Sequence, residues 1–127
     1  MVAPRILIVE DHHVFSEALA LVLGQRLLRE RDGRPEFRRA ATAAEGLGLL
    51  REDGHFDVAV VDPTLPDAAE VLGELRASHP RTRVAALGSV RDLSGAYADE
   101  AIGKESPIAE MISRLSRLAG GGDRTAA

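Results

Sequence analysis

Three short runs of consecutive apolar residues punctuate the chain: Ile6-Leu7-Ile8-Val9, Val58-Ala59-Val60-Val61 and Val84-Ala85-Ala86-Leu87. Each is too short for a buried helix, and none alternates with polar residues, so each predicts a strand covered on both faces. Between the runs, apolar residues recur at helical spacing. Phe15, Ala18, Leu19 and Val22 fall at i, i+3, i+4 and i+7 and predict an amphipathic helix reaching about Leu28. Ala68, Val71, Leu72 and Leu75 predict a second helix, ended by His79-Pro80. Ile108, Met111, Ile112, Leu115 and Leu118 predict a last one, opened by Ser106 as N-cap and Pro107 at the first helical position. Thr42-Ala43-Ala44-Glu45 has the form of a capping box for a short helix with Leu47 and Leu50 inward, which Gly46 and Gly48 weaken. Residues 37–41 read as a weak strand near an edge and Ala101-Ile102-Gly103 as a brief one. The stretch 90–100 has room only for a short helix near 93–98.

Strands alternating with helices, with the clearest strands continuously apolar, predict a parallel sheet covered on both sides. Right-handed crossovers then give a five-stranded, doubly wound α/β fold. In that class the functional crevice lies at the carboxyl ends of the strands, where the strand order reverses. The 127 residues suit a single domain, expected over 1–118, with 119–127 and its Gly120-Gly121-Gly122 run as a flexible tail or linker.

Composition narrows the chemistry. There is no cysteine, which removes disulfides, thiolate zinc sites and thiol catalysis. A formal charge of −4, with scattered arginines and no basic stripe, argues against nucleic acid as a ligand of this domain. No apolar run approaches the ~20 residues of a membrane span, so a cytoplasmic domain is the expectation. Of sixteen basic residues only one, Lys104, is a lysine.

The expected carboxyl ends hold Glu10-Asp11 after the first strand, Asp62 after the third, Gly88-Ser89 after the fourth and Lys104 after the fifth. If the first and third strands are neighbours, three carboxylates converge opposite one ammonium. Like charges so close need compensation, and a hard divalent cation such as Mg²⁺ supplies it. A neutralised aspartate can also act as a nucleophile toward phosphorus. Any one acid at a strand end could instead be a helix cap, whereas three acids and the sole lysine on one edge are harder to explain that way. His12-His13 reads as a solvated pair at a helix entry, since adjacent residues there point apart. Asp62-Pro63-Thr64 lacks the second carboxylate, two residues on, that haloacid-dehalogenase phosphatases need.

Taken together, these segments resemble the receiver domain of two-component response regulators. Arg5-Ile6-Leu7-Ile8-Val9-Glu10-Asp11-His12 is similar to the family's first strand and acidic pair. Val60-Val61-Asp62-Pro63-Thr64-Leu65-Pro66-Asp67 is similar to its phosphoacceptor strand and loop, and Ile102-Gly103-Lys104-Glu105-Ser106-Pro107 to its last strand and lysine. The likeness runs from about Pro4 to Leu118 and is greatest to receivers that precede a helix-turn-helix domain. It implies a flavodoxin-like strand order 2-1-3-4-5. It also implies phosphorylation of Asp62 by a histidine kinase with Mg²⁺ as cofactor, in a signalling domain that is not itself an enzyme. Metal ligands would be Asp62, Asp11 and the Thr64 carbonyl, with Glu10 acting through water. Lys104 and the Thr64 N–H would contact the phosphoryl group, and the target would be a C-terminal DNA-binding output domain or a partner protein. Self-association through the first or the last helix is a further expectation.

The sequence departs from the family in three places. Gly88 stands where a Thr or Ser hydroxyl normally contacts phosphate, with Ser89 one residue later. Ala101 stands where an aromatic switch residue is usual, and Tyr97 lies four residues earlier. Only 15 residues separate Gly88 from Lys104, short of the usual span by about 1.5 helical turns at 3.6 residues per turn, which implies a shortened or irregular fourth helix. Two functions therefore stand open: a phosphoacceptor, or a phosphorylation-independent pseudo-receiver serving as an interaction or dimerisation module. A metal-dependent phosphatase is a weaker third, for want of a legible general base.

Overall fold

The computed structural model describes residues 3–30, 33–89 and 97–120. Five strands, β1 (Arg5–Val9), β2 (Glu36–Ala40), β3 (Val58–Val61), β4 (Arg83–Gly88) and β5 (Glu100–Gly103), form one parallel sheet in the order β2-β1-β3-β4-β5. The described helices are α1 (His13–Glu30), α2 (Ala43–Glu52), α3 (Ala68–Ser78) and α4 (Ile108–Gly120). The doubly wound sheet expected from the sequence, with its 2-1-3-4-5 order, is the observed one.

Strand alternation divides the core in two. Ile6, Ile8, Val58, Val60, Ala85, Leu87 and Ile102 pack against α1 and α4. Leu7, Val9, Ala59, Val61 and Val84 point the other way, against α2 and α3. Both faces are buried, which is why the three central strands carry no polar alternation. The crossover direction reverses between β1 and β3, so the crevice of this fold lies between their carboxyl ends.

Several boundaries move by one or two residues. β2 begins at Glu36 and ends at Ala40, β5 begins at Glu100, and α4 runs on to Gly120. At the start of α4 the Pro107 carbonyl accepts from Glu110 and Met111, so Pro107 takes the cap position expected of Ser106. The larger difference concerns α1. Its inward residues are Ser16, Leu19, Leu23 and Leu27, while Ala18 and Val22 face outward. The fourth-helix segment falls largely on residues 90–96, outside the described residues. The strands on either side of it are joined where the Asp99 N–H reaches the Val84 carbonyl and the Asp99 carboxylate accepts the Val84 N–H, both at 2.7 Å.

The capping box of α2 is present, with one variation. The Thr42 hydroxyl accepts the Glu45 N–H at 3.1 Å, while the Glu45 carboxylate takes the N–H of Ala41, one residue before the usual partner. The two glycines of α2 have different causes. A Cβ at Gly46 would lie 3.0 Å from a methyl of Val9, a buried strand residue with no room to move, whereas at Gly48 it would meet nothing nearer than the flexible tip of Glu52 at 3.9 Å. Gly48→Ala should therefore raise unfolding free energy by up to about 1 kcal/mol, as helix propensity predicts. Gly46→Ala should lower stability, because the packing strain exceeds that gain. Urea denaturation of the two variants checks both signs.

Candidate functional site

The β1–β3 register pairs Val9 with Val61, so the next residues, Glu10 and Asp62, leave the sheet side by side. The ladder continues one step further: the Asp62 N–H donates to the Val9 carbonyl at 3.0 Å and the Glu10 N–H to Ala40 at 2.9 Å. On the other side β4 and β5 end together at Gly88 and Gly103, and the Lys104 N–H donates to the Gly88 carbonyl at 2.8 Å. Backbone hydrogen bonding thus fixes the origins of all three charged side chains.

Glu10 and Asp62 are each only 5% exposed, while Asp11 is open to solvent. Lys104 Nζ lies 2.6 Å from Glu10 Oε1 and 2.9 Å from Asp62 Oδ2, bridging the two buried acids. It also sits 5.2 Å from the centre of the Phe15 ring, supplied by the first turn of α1. The other oxygen of Asp62, Oδ1, accepts two hydrogen bonds from Thr64: the backbone N–H at 2.8 Å and the hydroxyl at 2.7 Å. Burial alone would push the Asp62 carboxyl up. The hydrogen bonds from Thr64 and Lys104, with the Lys104 charge, outweigh burial and hold it below the ordinary carboxylate value. Burial likewise favours a neutral Lys104, but its bonds to Glu10 and Asp62 and their charges raise its pKa above the ordinary ammonium value.

None of the three acids caps a helix. The residue before α1 is His12, whose Nδ1 accepts the Phe15 N–H at 3.2 Å, while Glu10 Oε2 takes the His12 N–H at 2.9 Å. The His12 ring is therefore an N-cap, and the capping explanation for the acids falls away. Histidine is not a preferred cap, so the sequence carried no signal for this role. The residue before α3 is Asp67, held at φ 64° and making no side-chain cap bond.

Glu10, Asp11 and Asp62 can each present an oxygen within 4.8 Å of the others. Three carboxylates against one ammonium leave a net charge of −2, and all the donors are hard oxygens. Asp11 has no hydrogen bond or ion pair among the described residues. This donor set and this charge suit a divalent cation of the Mg²⁺ type.

The expected departure at Gly88 has a structural counterpart. A Cβ there would lie 3.3 Å from Cδ of Pro63 and 3.4 Å from Asp62 Oδ1, so the Pro63 ring occupies part of the slot a larger residue would need. Gly88 and Pro63, two unusual residues far apart in sequence, are packing partners. Ser89 is exposed just past the strand end. Ala101 is exposed on β5, and Tyr97 stacks on the Arg76 guanidinium of α3, 5.5 Å from ring centre to Cζ, so Tyr97 does not stand in for it.

The pH dependence of the triad follows from these shifts. Asp62, with a folded pKa below its ordinary 3.8, stabilises the fold above that value, and the contribution is lost as pH falls through the folded pKa. Lys104, raised above 10.5, stabilises fully below that value, and its contribution is lost as pH rises through the folded pKa. In metal-free buffer the melting-temperature difference between wild type and Asp62→Asn should be flat between these limits and shrink on acidification below about pH 4. A difference that grows on acidification would contradict the assigned direction.

By sequence, the chain matches no family model and no curated protein. By structure, it is similar to a member of a streptococcal family of redox sensors evolved from two-component response regulators, with a TM-score of 0.78 and 19% identity. That match covers 98% of this chain but 54% of the other, so the chain spans about half the length of that relative. It is similar also to the regulatory domain of the repressor of iron transport regulator RitR, in its inactive form (TM-score 0.75, 19% identity, 95% of this chain and 98% of that one). A response regulator receiver protein from Sinorhizobium medicae matches comparably (TM-score 0.75, 18% identity, 93% and 95%). The order of strands, the placement of helices on both faces and these likenesses agree: the chain has the fold of a response regulator receiver domain.

Proposed function

We propose that the chain is a signal receiver that accepts a phosphoryl group on Asp62 from the phosphohistidine of a kinase. One observation carries the reading: a buried aspartate at the switch point, with one oxygen held by Lys104, the other by Thr64, and two further carboxylates in reach of the same cation. A carboxylate oxygen of Asp62 forms the new bond to phosphorus as the P–N bond of the donor breaks, and the leaving imidazole nitrogen keeps the electron pair and takes up a proton. Its lowered pKa keeps Asp62 ionised for that attack at neutral pH. Asp11, Asp62 and the Thr64 carbonyl would hold Mg²⁺, with Glu10 through water, and the bound ion would offset the added negative charge. Lys104, a compact ammonium on a flexible stem, can follow the charge from carboxylate to phosphoryl oxygen in a way a planar guanidinium fills less well.

Thr64 supplies more than its backbone. Its hydroxyl already lies 2.7 Å from Asp62 Oδ1, and it takes over the contact that the family places at the position of Gly88. Ser89 is the remaining hydroxyl near that strand end. Output then passes through the 62–67 loop, toward a C-terminal DNA-binding domain or a partner protein, from a cytoplasmic, non-enzymatic domain whose last helix ends at Gly120, two residues past the expected boundary at 118; the rest of the expected tail or linker lies outside the described residues.

The second reading, a pseudo-receiver that works without phosphate, is favoured by the Pro63–Gly88 contact, which crowds the slot beside Asp62. Titration with Mg²⁺ and then beryllofluoride, followed by NMR, separates the two. Saturable shifts around the site in wild type and none in Asp62→Ala support the phosphoacceptor; no Asp62-dependent binding at millimolar Mg²⁺ leaves the pseudo-receiver. In the same assay Thr64→Val should weaken beryllofluoride binding roughly tenfold or more, the scale of a hydrogen bond to a charged group. Unchanged affinity would remove the hydroxyl from the site.

A further inference from the structure

Ser16 is out of keeping with its surroundings. It lies on the buried row of α1 with Leu19, Leu23 and Leu27 and is 3% exposed. Its hydroxyl accepts a hydrogen bond from the Arg39 guanidinium at 3.3 Å but gives its own hydrogen to none of the described residues. A buried donor left unused in this way calls for a partner. Ser16 lines a cleft of about 400 Å³ between the first turn of α1, the end of β2 and α2, with Glu10 on the side nearest Asp62. Two further groups on its wall have unused donors. Arg39 makes no ion pair among the described residues, and the His13 ring makes neither a hydrogen bond nor an ion pair among them. The other polar groups there are matched: Glu10 by Lys104, Arg38 by Asp53 at 2.9 Å, and Glu45 by the Ala41 N–H at 2.7 Å. The rest of the wall is largely apolar, with Phe37 and Leu49 both half-buried.

We propose that this cleft binds a small organic monocarboxylate, its head held by Arg39, Ser16 and His13 and its apolar body laid against Phe37 and Leu49. What the cleft lacks is an acceptor. A carboxylate supplies two, in the plane that the guanidinium fork matches, and its remaining lone pairs take the Ser16 hydroxyl and the His13 ring N–H. The first turn of α1 carries no acidic residue, and the positive end of its dipole favours an anion. Charge fixes the valence. Arg39 is the one permanent charge on the cleft wall that no described residue compensates, so one negative charge neutralises it. A dianion such as phosphate would carry a second charge toward Glu10 and Glu45. The volume is near the lower end of the roughly 300–1,000 Å³ usual for ligand sites, which suits a molecule the size of benzoate better than a nucleotide. The cleft shares only Glu10 with the Asp62 site, and its occupancy does not rest on phosphorylation. It would give the domain a small-molecule input of its own.

NMR titration of the 127-residue chain with benzoate, in metal-free buffer, tests this. Wild type should show saturable shifts centred on residues 13–16, 37–41 and 45–49, with a Kd in the millimolar range or below. Arg39→Ala and Ser16→Ala should each weaken binding about tenfold or more, the scale of a hydrogen bond to a charged group. Arg39 is exposed and alanine fits within the space of Ser16, so both variants should keep the wild-type spectrum elsewhere. Benzyl alcohol, which keeps the ring without the charge, and inorganic phosphate should each bind about tenfold more weakly than benzoate. The absence of saturable shifts with benzoate overturns the proposal, as does unchanged affinity in both variants. Equal binding of benzyl alcohol would make the cleft a merely apolar crevice, and equal binding of phosphate would remove the carboxylate assignment. Benzoate binding should persist in Asp62→Ala, so this reading and the phosphoacceptor fail separately; its loss there would place benzoate at the Asp62 site and overturn the proposal.

Discussion

Two buried carboxylates compete for one ammonium at the mouth of this sheet. Glu10 and Asp62 stand side by side because β1 and β3 are paired in register, and two like charges so close and so buried are costly without a compensating group. Lys104 supplies it from the end of β5, across the width of β4, at 2.6 and 2.9 Å. Much of the surrounding structure serves that arrangement. The backbone ladder continues past each strand to fix the three side chains, His12 caps α1 and frees the acids from capping, and Phe15 covers the ammonium. Replacing Lys104 would leave Glu10 and Asp62 buried side by side with no ammonium between them, which is costlier than the bridge is stabilising.

The Thr64 side of Asp62 is held by its own loop. Its second oxygen is held by the hydroxyl and N–H of a residue only two positions away, on the same loop. The strand opposite contributes no side chain at Gly88, and the Pro63 ring leans into the space. The three features form a set: a bulkier residue at 88 would press on the ring, and the hydroxyl that binds Asp62 belongs to the loop after β3. The state of Asp62 is accordingly tied more closely to that loop than to the end of β4.

The sequence made much of this legible, for identifiable reasons. β1, β3 and β4 announce themselves as unbroken apolar runs because helices cover both sides of the sheet, and the acids and lysine follow directly once their strand ends are placed. The phase of α1 came through only in part. A helix apolar on two faces admits two stripes: of the expected set, Phe15 and Leu19 lie against the core while Ala18 and Val22 face outward, and Ser16, a polar residue, lies in the core. The cap at His12 was hidden because imidazole is an unusual cap, and the Pro63–Gly88 contact because it joins neighbouring strands through packing alone. Such pairings leave no periodicity to read.

The account rests on Asp62 being the nucleophile, and covalent capture tests that most directly. The chain is incubated with Mg²⁺ and a small-molecule phosphoryl donor such as acetyl phosphate, the acyl phosphate is reduced with borohydride, and the product is mapped by tandem mass spectrometry. The account predicts conversion to homoserine at position 62 and at no other aspartate. An unmodified Asp62, or conversion at Asp11 or Asp67 instead, would contradict it.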